Sequence, residues 1–251
     1  MNIVVAMKQV PDLQQIRIRD RQPVMENVPL TLGAIDRNAL EAAVRLKEAG
    51  DATVTVLMAG NGEVEETVKE ALAAGADRAC LVVDEALQEA DGAVVAQVLA
   101  AAIRGMEDVK LVLFGEGSAD NYSGQVGSRV AALLGWPQVG FAASLEVEGD
   151  TVRVVRALED EDEVLESPAP LVVTVLGDIN EPRIPSVSQI LKAGRKPKEV
   201  LEPRELGVEV AARNTTATVS SEAPDTRREG RRLHSVEELL AVLRAEGFTR
   251  G

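Results

Sequence analysis

Residues 115 to 128, GEGSADNYSGQVGS, gather hydroxyls, amides and small residues in one loop. The loop follows the apolar run Leu111 to Phe114 and opens a small-residue helical pattern that ends at Leu134. A strand therefore passes through a glycine-containing turn into a helix N-terminus. Free backbone N–H groups and the positive end of the helix dipole favour an anion there, above all a phosphate. Ser123 and Ser128 read as hydroxyl donors to that phosphate. Neither has the neighbouring histidine or the Gly-x-Ser-x-Gly turn that would make it a nucleophile. Asp120 is expected to cap the loop-to-helix turn. Lys8, after the first apolar run, can bring one positive charge to the loop, or can equally be a surface lysine.

The remaining reactive residue types add little chemistry. His234 is the only histidine and stands just before a helix start; Cys80, the only cysteine, lies within the apolar stretch ACLVV. Zinc coordination and acid–base pairs therefore have little support. No Walker A sequence occurs, and the first strand is followed by AMKQVP rather than by a Gly-x-Gly-x-x-Gly turn. The residues describe a binding module rather than a hydrolase or a transferase.

The elements that would position this loop are regular. Up to about residue 135, β-branched runs alternate with helical patterns: NIVVA with IDRNALEAAVRLKEAG, ATVTVLMAG with EVEETVKEALAAGA, ACLVV with GAVVAQVLAAAIRG, and KLVLFG with SGQVGSRVAALLG. Four βα units in series predict an α/β fold with a doubly wound, mostly parallel sheet, its first two helices ending at Gly50 and Gly75. Ligands on such sheets bind outside the carboxyl ends of the strands. The segments 6–11, 32–36, 58–62 and 115–128 are thereby candidates for one crevice.

After Trp136-Pro137 the pattern changes. FAASLEVEGDTVRVVRALEDEDEVLESPAPLVVTVL predicts a strand, a turn at Gly149-Asp150, a second strand, an acidic turn and a further strand ending near Leu176, all antiparallel additions to the sheet. The acidic run 159–163 reads as a solvated hairpin tip, because consecutive carboxylates on a strand end point in opposite directions. GDINEPRIPSVSQILKAGRKP follows as a stiff projecting segment, with about two helical turns closed at Gly194. Residues 199–232 lack apolar periodicity and read as an extended arm. The arm leads to HSVEELLAVLRAEGF, where Ser235 and Glu238 have capping-box spacing. A helix on a long arm must pack on something, and a partner subunit is the natural candidate.

Composition narrows the partners. The formal charge is −14, which opposes binding to nucleic acid or an anionic membrane surface. Basic residues persist at Lys192, Arg195, Lys196 and Lys198, and at Arg227, Arg228, Arg231 and Arg232, either as solvated faces or as docking points. The N-terminal residues read as a strand rather than a signal peptide, and no apolar run reaches the ~18 residues of a membrane span, so a cytoplasmic location is expected.

Much of the chain resembles the β subunit of electron transfer flavoprotein. The resemblance is carried by GSADNYSGQVGSRVAALLGWPQVGFAASLEV, by VRVVRALEDEDEVLESPAPLVVTVLGDINEPRIPSVSQILKAGRKP, and by MNIVVAMKQVPD, ALEAAVRLKEAG, VKEALAAGADRA and VEELLAVLRAEG. It implies a Rossmann-like adenine-nucleotide-binding domain over 1–198, including a recognition loop at 178–194. Residues 199–251 would be an arm and helix packing on the α subunit. It also implies a heterodimer in which the α subunit holds the redox-active FAD and this subunit buries an AMP of structural role.

By position, Ala6, Lys8, Gly33, Ala34, Ile35, Asp36 and Ala59 would line the AMP pocket. Gly117, Ser118, Asp120, Asn121, Tyr122, Ser123, Gln125, Val126, Gly127 and Ser128 would complete it. Asn180, Glu181, Pro182, Arg183, Ile184, Pro185, Val187, Ile190 and Leu191 would dock acyl-CoA or related dehydrogenases, with Val187 as the apolar probe. Electrons would then pass to a quinone-linked oxidoreductase. The chain departs from the family pattern with Gly33-Ala34 for Asn-Pro, Val187 for leucine and Glu116 at a position that is often glycine or basic. Some members bind a second FAD in place of AMP and bifurcate electrons; the Asn180-Glu181-Pro182-Arg183 sequence resembles the ordinary members. The βα units alone would also suit a universal stress protein.

Overall fold

The computed structural model describes residues 1–210, 214–225 and 230–248. Arg227 and Arg228 of the second basic cluster lie outside the described residues. The chain groups into two units, one of Met1–Arg17 with Met25–Val219 and one of Ile18–Val24 with Ser220–Gly251. The first unit thus continues past residue 198.

The strands in chain order are β1 (Asn2–Ala6), β2 (Gln9–Pro11), β3 (Arg17–Arg19), β4 (Gln22–Val24), β5 (Leu30–Leu32), β6 (Thr53–Gly60) and β7 (Arg78–Val83). They continue with β8 (Val109–Gly115), β9 (Gln138–Glu148), β10 (Thr151–Ala157), β11 (Asp162–Pro168), β12 (Leu171–Val175) and β13 (Lys198–Leu201). The helices are α1 (Ala34–Ala49), α2 (Val64–Ala74), α3 (Gly92–Arg104), α4 (Val126–Leu134), α5 (Val187–Ala193) and α6 (Val236–Ala245).

Nine strands form one sheet in the order β11-β10-β9-β12-β8-β1-β6-β7-β13. From β9 to β13 every pairing in that order is parallel; β10 and β11 add antiparallel at one edge. Alternate residues of the buried strands feed opposite faces. Ile3 and Val5 join the core beneath α1 and α2, and Val4 and Ala6 join the core beneath α3 and α4. Burial on both faces explains why these strands are continuously apolar.

The expected doubly wound sheet is therefore present, with one correction. The sequence run expected as three antiparallel additions contains four strands, and the last, β12, is inserted parallel between β8 and β9. Only Ala169-Pro170 separates β11 from β12, and all five residues of LVVTV are buried. An unbroken apolar strand needs cover on both faces, which only an interior position supplies. The tail after 198 also differs from a plain extended arm. Lys198–Leu201 pairs with β7, and Val208 and Val210 are buried in the α3–α4 core.

The smaller unit holds α6. Ser235 accepts a hydrogen bond from the Glu238 backbone at 3.2 Å, while the Glu238 carboxylate reaches back to the backbone N–H of His234 at 2.8 Å. The helix is thus capped from both directions, one residue earlier than the capping box expected. Val236, Leu239 and Leu240 remain exposed on it.

Candidate functional site

The sheet order reverses direction at β1, with β6 on one side and β8 on the other. The carboxyl ends of β1 and β8 therefore flank the crevice where such sheets take ligands. Asp36, in the first turn of α1, ties the crevice together. Its carboxylate accepts the backbone N–H of Lys8 at 2.8 Å and that of Gly115 at 3.3 Å. Gly33, at the N-cap of α1, donates its backbone N–H to the Lys8 carbonyl at 3.0 Å. Three segments far apart in sequence are thus joined at one buried carboxylate.

That carboxylate is uncomfortable as an anion. Burial raises its pKa from the ordinary aspartate range to about 6, against the opposing pull of the two backbone N–H groups and the Lys8 charge. Packing around it leaves no slack. A Cβ on Gly115 would lie 2.7 Å from Asp36 Oδ1 and 3.1 Å from backbone atoms of Asp36 and Ile35.

The loop from Glu116 to Gln125 is shaped by small residues and two left-handed positions, Tyr122 (φ 47°) and Gly124 (φ 62°). Ser118 donates its hydroxyl to Asn121 Oδ1 at 3.1 Å, and the same oxygen accepts the backbone N–H of Ser123 at 3.3 Å. The Tyr122 hydroxyl donates to Glu116, which raises the tyrosine pKa and occupies the carboxylate that departs from the family pattern. Gly127, in the first turn of α4, is buried; a Cβ there would meet the Thr174 methyl at 2.7 Å.

Asp120 does not cap α4. The N-cap position is Gln125, whose side chain pairs with Arg129 instead, so the helix starts with no side-chain cap. Asp120 forms an ion pair with Lys8 Nζ across the crevice. Burial pushes the Asp120 carboxyl up, yet the Lys8 and Ser118 hydrogen bonds and the Lys8 charge outweigh it and hold the pKa below the ordinary value. Lys8 is thus placed at the loop rather than free on the surface. Ala6 ends β1 and Ala59 is the last residue but one of the neighbouring β6, while Ala34, Ser123 and Ser128 are exposed.

The donor set suits a phosphate. It offers uncapped helix N–H groups, hydroxyls, small residues that let a ligand approach the backbone, and one lysine. Among the described residues there is no group of side chains that could hold a metal, and no helix long and apolar enough to cross a membrane. Cys80 is buried and its thiol is pushed up to about 11, which keeps it inert.

The second site expected from sequence is the projecting segment. Ile184, Val187, Ile190 and Leu191 are exposed, Ile184 almost fully. Asn180 and Arg183 are turned toward α1 instead. Asn180 donates to the Asn38 carbonyl at 3.0 Å, and the Arg183 guanidinium is held by Glu41 and Glu48 of α1. These four apolar members of the expected docking set are therefore presented outward, whereas Pro182 and Pro185 are half-buried and the Arg183 guanidinium is spent on the chain itself.

Asn38, Glu41, Arg45 and Glu48 were missing from the residues singled out in the sequence. Their spacing puts them on one stripe of α1, but a polar stripe on a helix ordinarily faces water.

The profile described as "Electron transfer flavoprotein domain" matches residues 24–206. The chain is 37% identical over 241 residues to "Electron transfer flavoprotein subunit beta" of Thermoanaerobacterium thermosaccharolyticum, covering 92% of this chain and 91% of that one. It is 36% identical over 253 residues to the protein of the same name from Homo sapiens, with 98% of each chain covered. It is also 36% identical over 211 residues to "Caffeyl-CoA reductase-Etf complex subunit CarD" of Acetobacterium woodii, covering 83% of this chain and 80% of the relative.

Proposed function

Starting from the premise that this chain belongs to the electron transfer flavoprotein family as a β subunit, we propose that it is the AMP-binding, dehydrogenase-docking half of a heterodimeric electron carrier. The observation that carries the nucleotide half is the crevice between β1 and β8, where Asp36 holds the Lys8 loop, the first turn of α1 and Gly115 around the uncapped start of α4. AMP binds there with its phosphate toward residues 121–128 and Lys8. Its role is structural. Lys8 supplies charge, the α4 backbone N–H groups supply directed hydrogen bonds, and Gly115 and Gly127 leave room for close approach.

The α subunit contributes most of the FAD site, and its flavin supplies the redox chemistry. This chain makes and breaks no bonds. It shapes one wall of the flavin's surroundings, seats the α subunit through the exposed apolar residues of α6, and offers Ile184, Val187, Ile190 and Leu191 to an acyl-CoA or related dehydrogenase. The electrons go on to a quinone-linked membrane oxidoreductase.

The nucleotide reading is tested by copurifying the heterodimer, denaturing it and quantifying what is released. One AMP and one FAD are expected. Two FAD and no AMP would replace this reading with an electron-bifurcating subunit, and no nucleotide beyond one FAD would mean that the crevice holds none.

The docking reading makes its own prediction. Val187 is three-quarters exposed, so Val187→Ala leaves folding alone while deleting about two methyl groups' worth of burial in the docked complex. The KM for the heterodimer as electron acceptor should rise roughly five- to tenfold, about 1–1.5 kcal/mol, with released FAD and AMP unchanged. A KM that does not move would take residues 180–193 out of the dehydrogenase interface.

A further inference from the structure

Helix α5 has seven residues, of which only Ala193 is buried. A helix this short does not hold itself together in water, and its exposed apolar residues gain nothing from being helical in the free protein. Its order comes from its packing against α2 and from its ends. The capping box of Ser186 and Gln189 closes the first turn. On the far side, Lys196 Nζ donates to the carbonyls of Leu72 and Ala76, at the end of α2.

The stronger hold lies before α5. On α1, Asn38 Nδ2 donates to the carbonyls of Gly177 at 2.9 Å and Asn180 at 2.7 Å. One helical turn on, Glu41 takes the Arg183 Nε at 2.7 Å and the Arg183 backbone N–H at 3.3 Å. Glu48 accepts from both terminal nitrogens of the same guanidinium, at 2.6 and 2.9 Å. Arg45 balances Glu41 from the other side at 2.7 Å. The Glu41 side chain is only 5% exposed, so its charge is brought out of water to make these contacts. A buried carboxylate is an unfavourable way to gain stability and a good way to select one conformation.

We propose that Glu41 is a positioning residue for dehydrogenase docking: through Arg183 it sets the path of residues 180–186 and so presents Ile184, Val187 and Leu191 already ordered. The inference rests on the docking reading of this segment. A preordered contact avoids the entropy of arranging a loop during binding, so its loss should appear in affinity and not in the electron-transfer step itself.

The test uses the intact heterodimer, an acyl-CoA dehydrogenase reduced by its acyl-CoA as the probe donor, and hydrogen exchange of residues 180–194. Glu41→Gln should raise the KM for the heterodimer by about tenfold with kcat within twofold. Exchange in 180–194 should quicken, while FAD content and direct reduction by dithionite stay as they were. If that single change prevents folding, the pair Glu41→Leu with Arg183→Met leaves neither of these two charges in place and should show the same KM rise.

An unchanged KM and unchanged exchange in Glu41→Gln, beside a raised KM in Val187→Ala, would overturn the inference and leave the docking reading intact. An unchanged KM in both variants would sink the docking reading, and this inference with it. Faster exchange without any KM change in Glu41→Gln, where Val187→Ala does raise KM, would also overturn it, because order in the segment would then be irrelevant to docking.

Discussion

Replacing Gly115 by alanine should empty the nucleotide crevice and destabilise the sheet domain by about 2–3 kcal/mol, the usual size of an overpacked site that cannot relax. The added Cβ would stand 2.7 Å from Asp36 Oδ1 and 3.1 Å from both the Asp36 nitrogen and the Ile35 carbonyl carbon. Two of those atoms are backbone of the first turn of α1, and the third belongs to the carboxylate that joins the loops. Relief requires α1 or the end of β8 to move, and either shift separates Asp36 from Lys8 or from Gly115 itself. The control is Gly62→Ala, where an added Cβ would meet nothing within 4 Å. Chemical unfolding and AMP content after denaturation provide the readouts. Wild-type stability and one AMP per heterodimer in Gly115→Ala would show that the close approach is not needed.

The second large effect is a dependence on pH that resides in one residue. The Asp36 pKa rises from 3.8 to about 6 on folding, chiefly because burial disfavours the anion. With the folded value above the unfolded one, the folded state holds the proton more tightly. The contribution of Asp36 is therefore most favourable below the unfolded value, declines as the pH rises between the two values, and is fully lost above the folded one. The span corresponds to about 3 kcal/mol.

Asp36→Asn carries no titrating group. It retains one amide oxygen as acceptor, so only one of the Lys8 and Gly115 N–H groups keeps its partner, at a pH-independent cost of about 1–3 kcal/mol. Urea unfolding at pH 4.5 and pH 8 should show the variant gaining on the wild type as the pH rises, by about 2 kcal/mol across the window. Other carboxylates, among them Glu41 and Asp120, have lowered values and slope the other way in acid, but they do so equally in both proteins. Parallel curves would mean that Asp36 is ionised throughout.

Physical chemistry explains which parts of this were legible from residues. The four βα units, the helix ends at glycines and the short helix closing at Gly194 depend on local periodicity and local backbone preference, which a single sequence carries in full. The loop before α4 was legible for the same reason, since an apolar run, small residues and a helical pattern suffice to place an N-terminus at the end of a strand. Asp120 shows the limit. Its type and place suggest a cap, but an oxygen that can accept from a neighbouring backbone can equally take a lysine 112 residues away. β12 shows another limit: the residues after the acidic turn read as one further antiparallel strand ending near Leu176, whereas they form β11 and then β12, which is inserted parallel between β8 and β9.

What the sequence determined by itself was the set of pieces: the parallel α/β architecture, a small-residue strand-to-helix loop at residues 115–128, and a projecting apolar segment ending at Gly194. The tertiary structure decided how the pieces constrain one another. Asp36 became the buried knot of three loops, and Arg183 was taken up by Glu41, 142 residues before it. Propensity and periodicity act over a turn or two of chain, whereas a buried charge is defined by whatever the sheet order brings beside it. Strand order places β1 next to β8 and sends residues 177–183 back across α1, and that order follows from the packing of the whole domain.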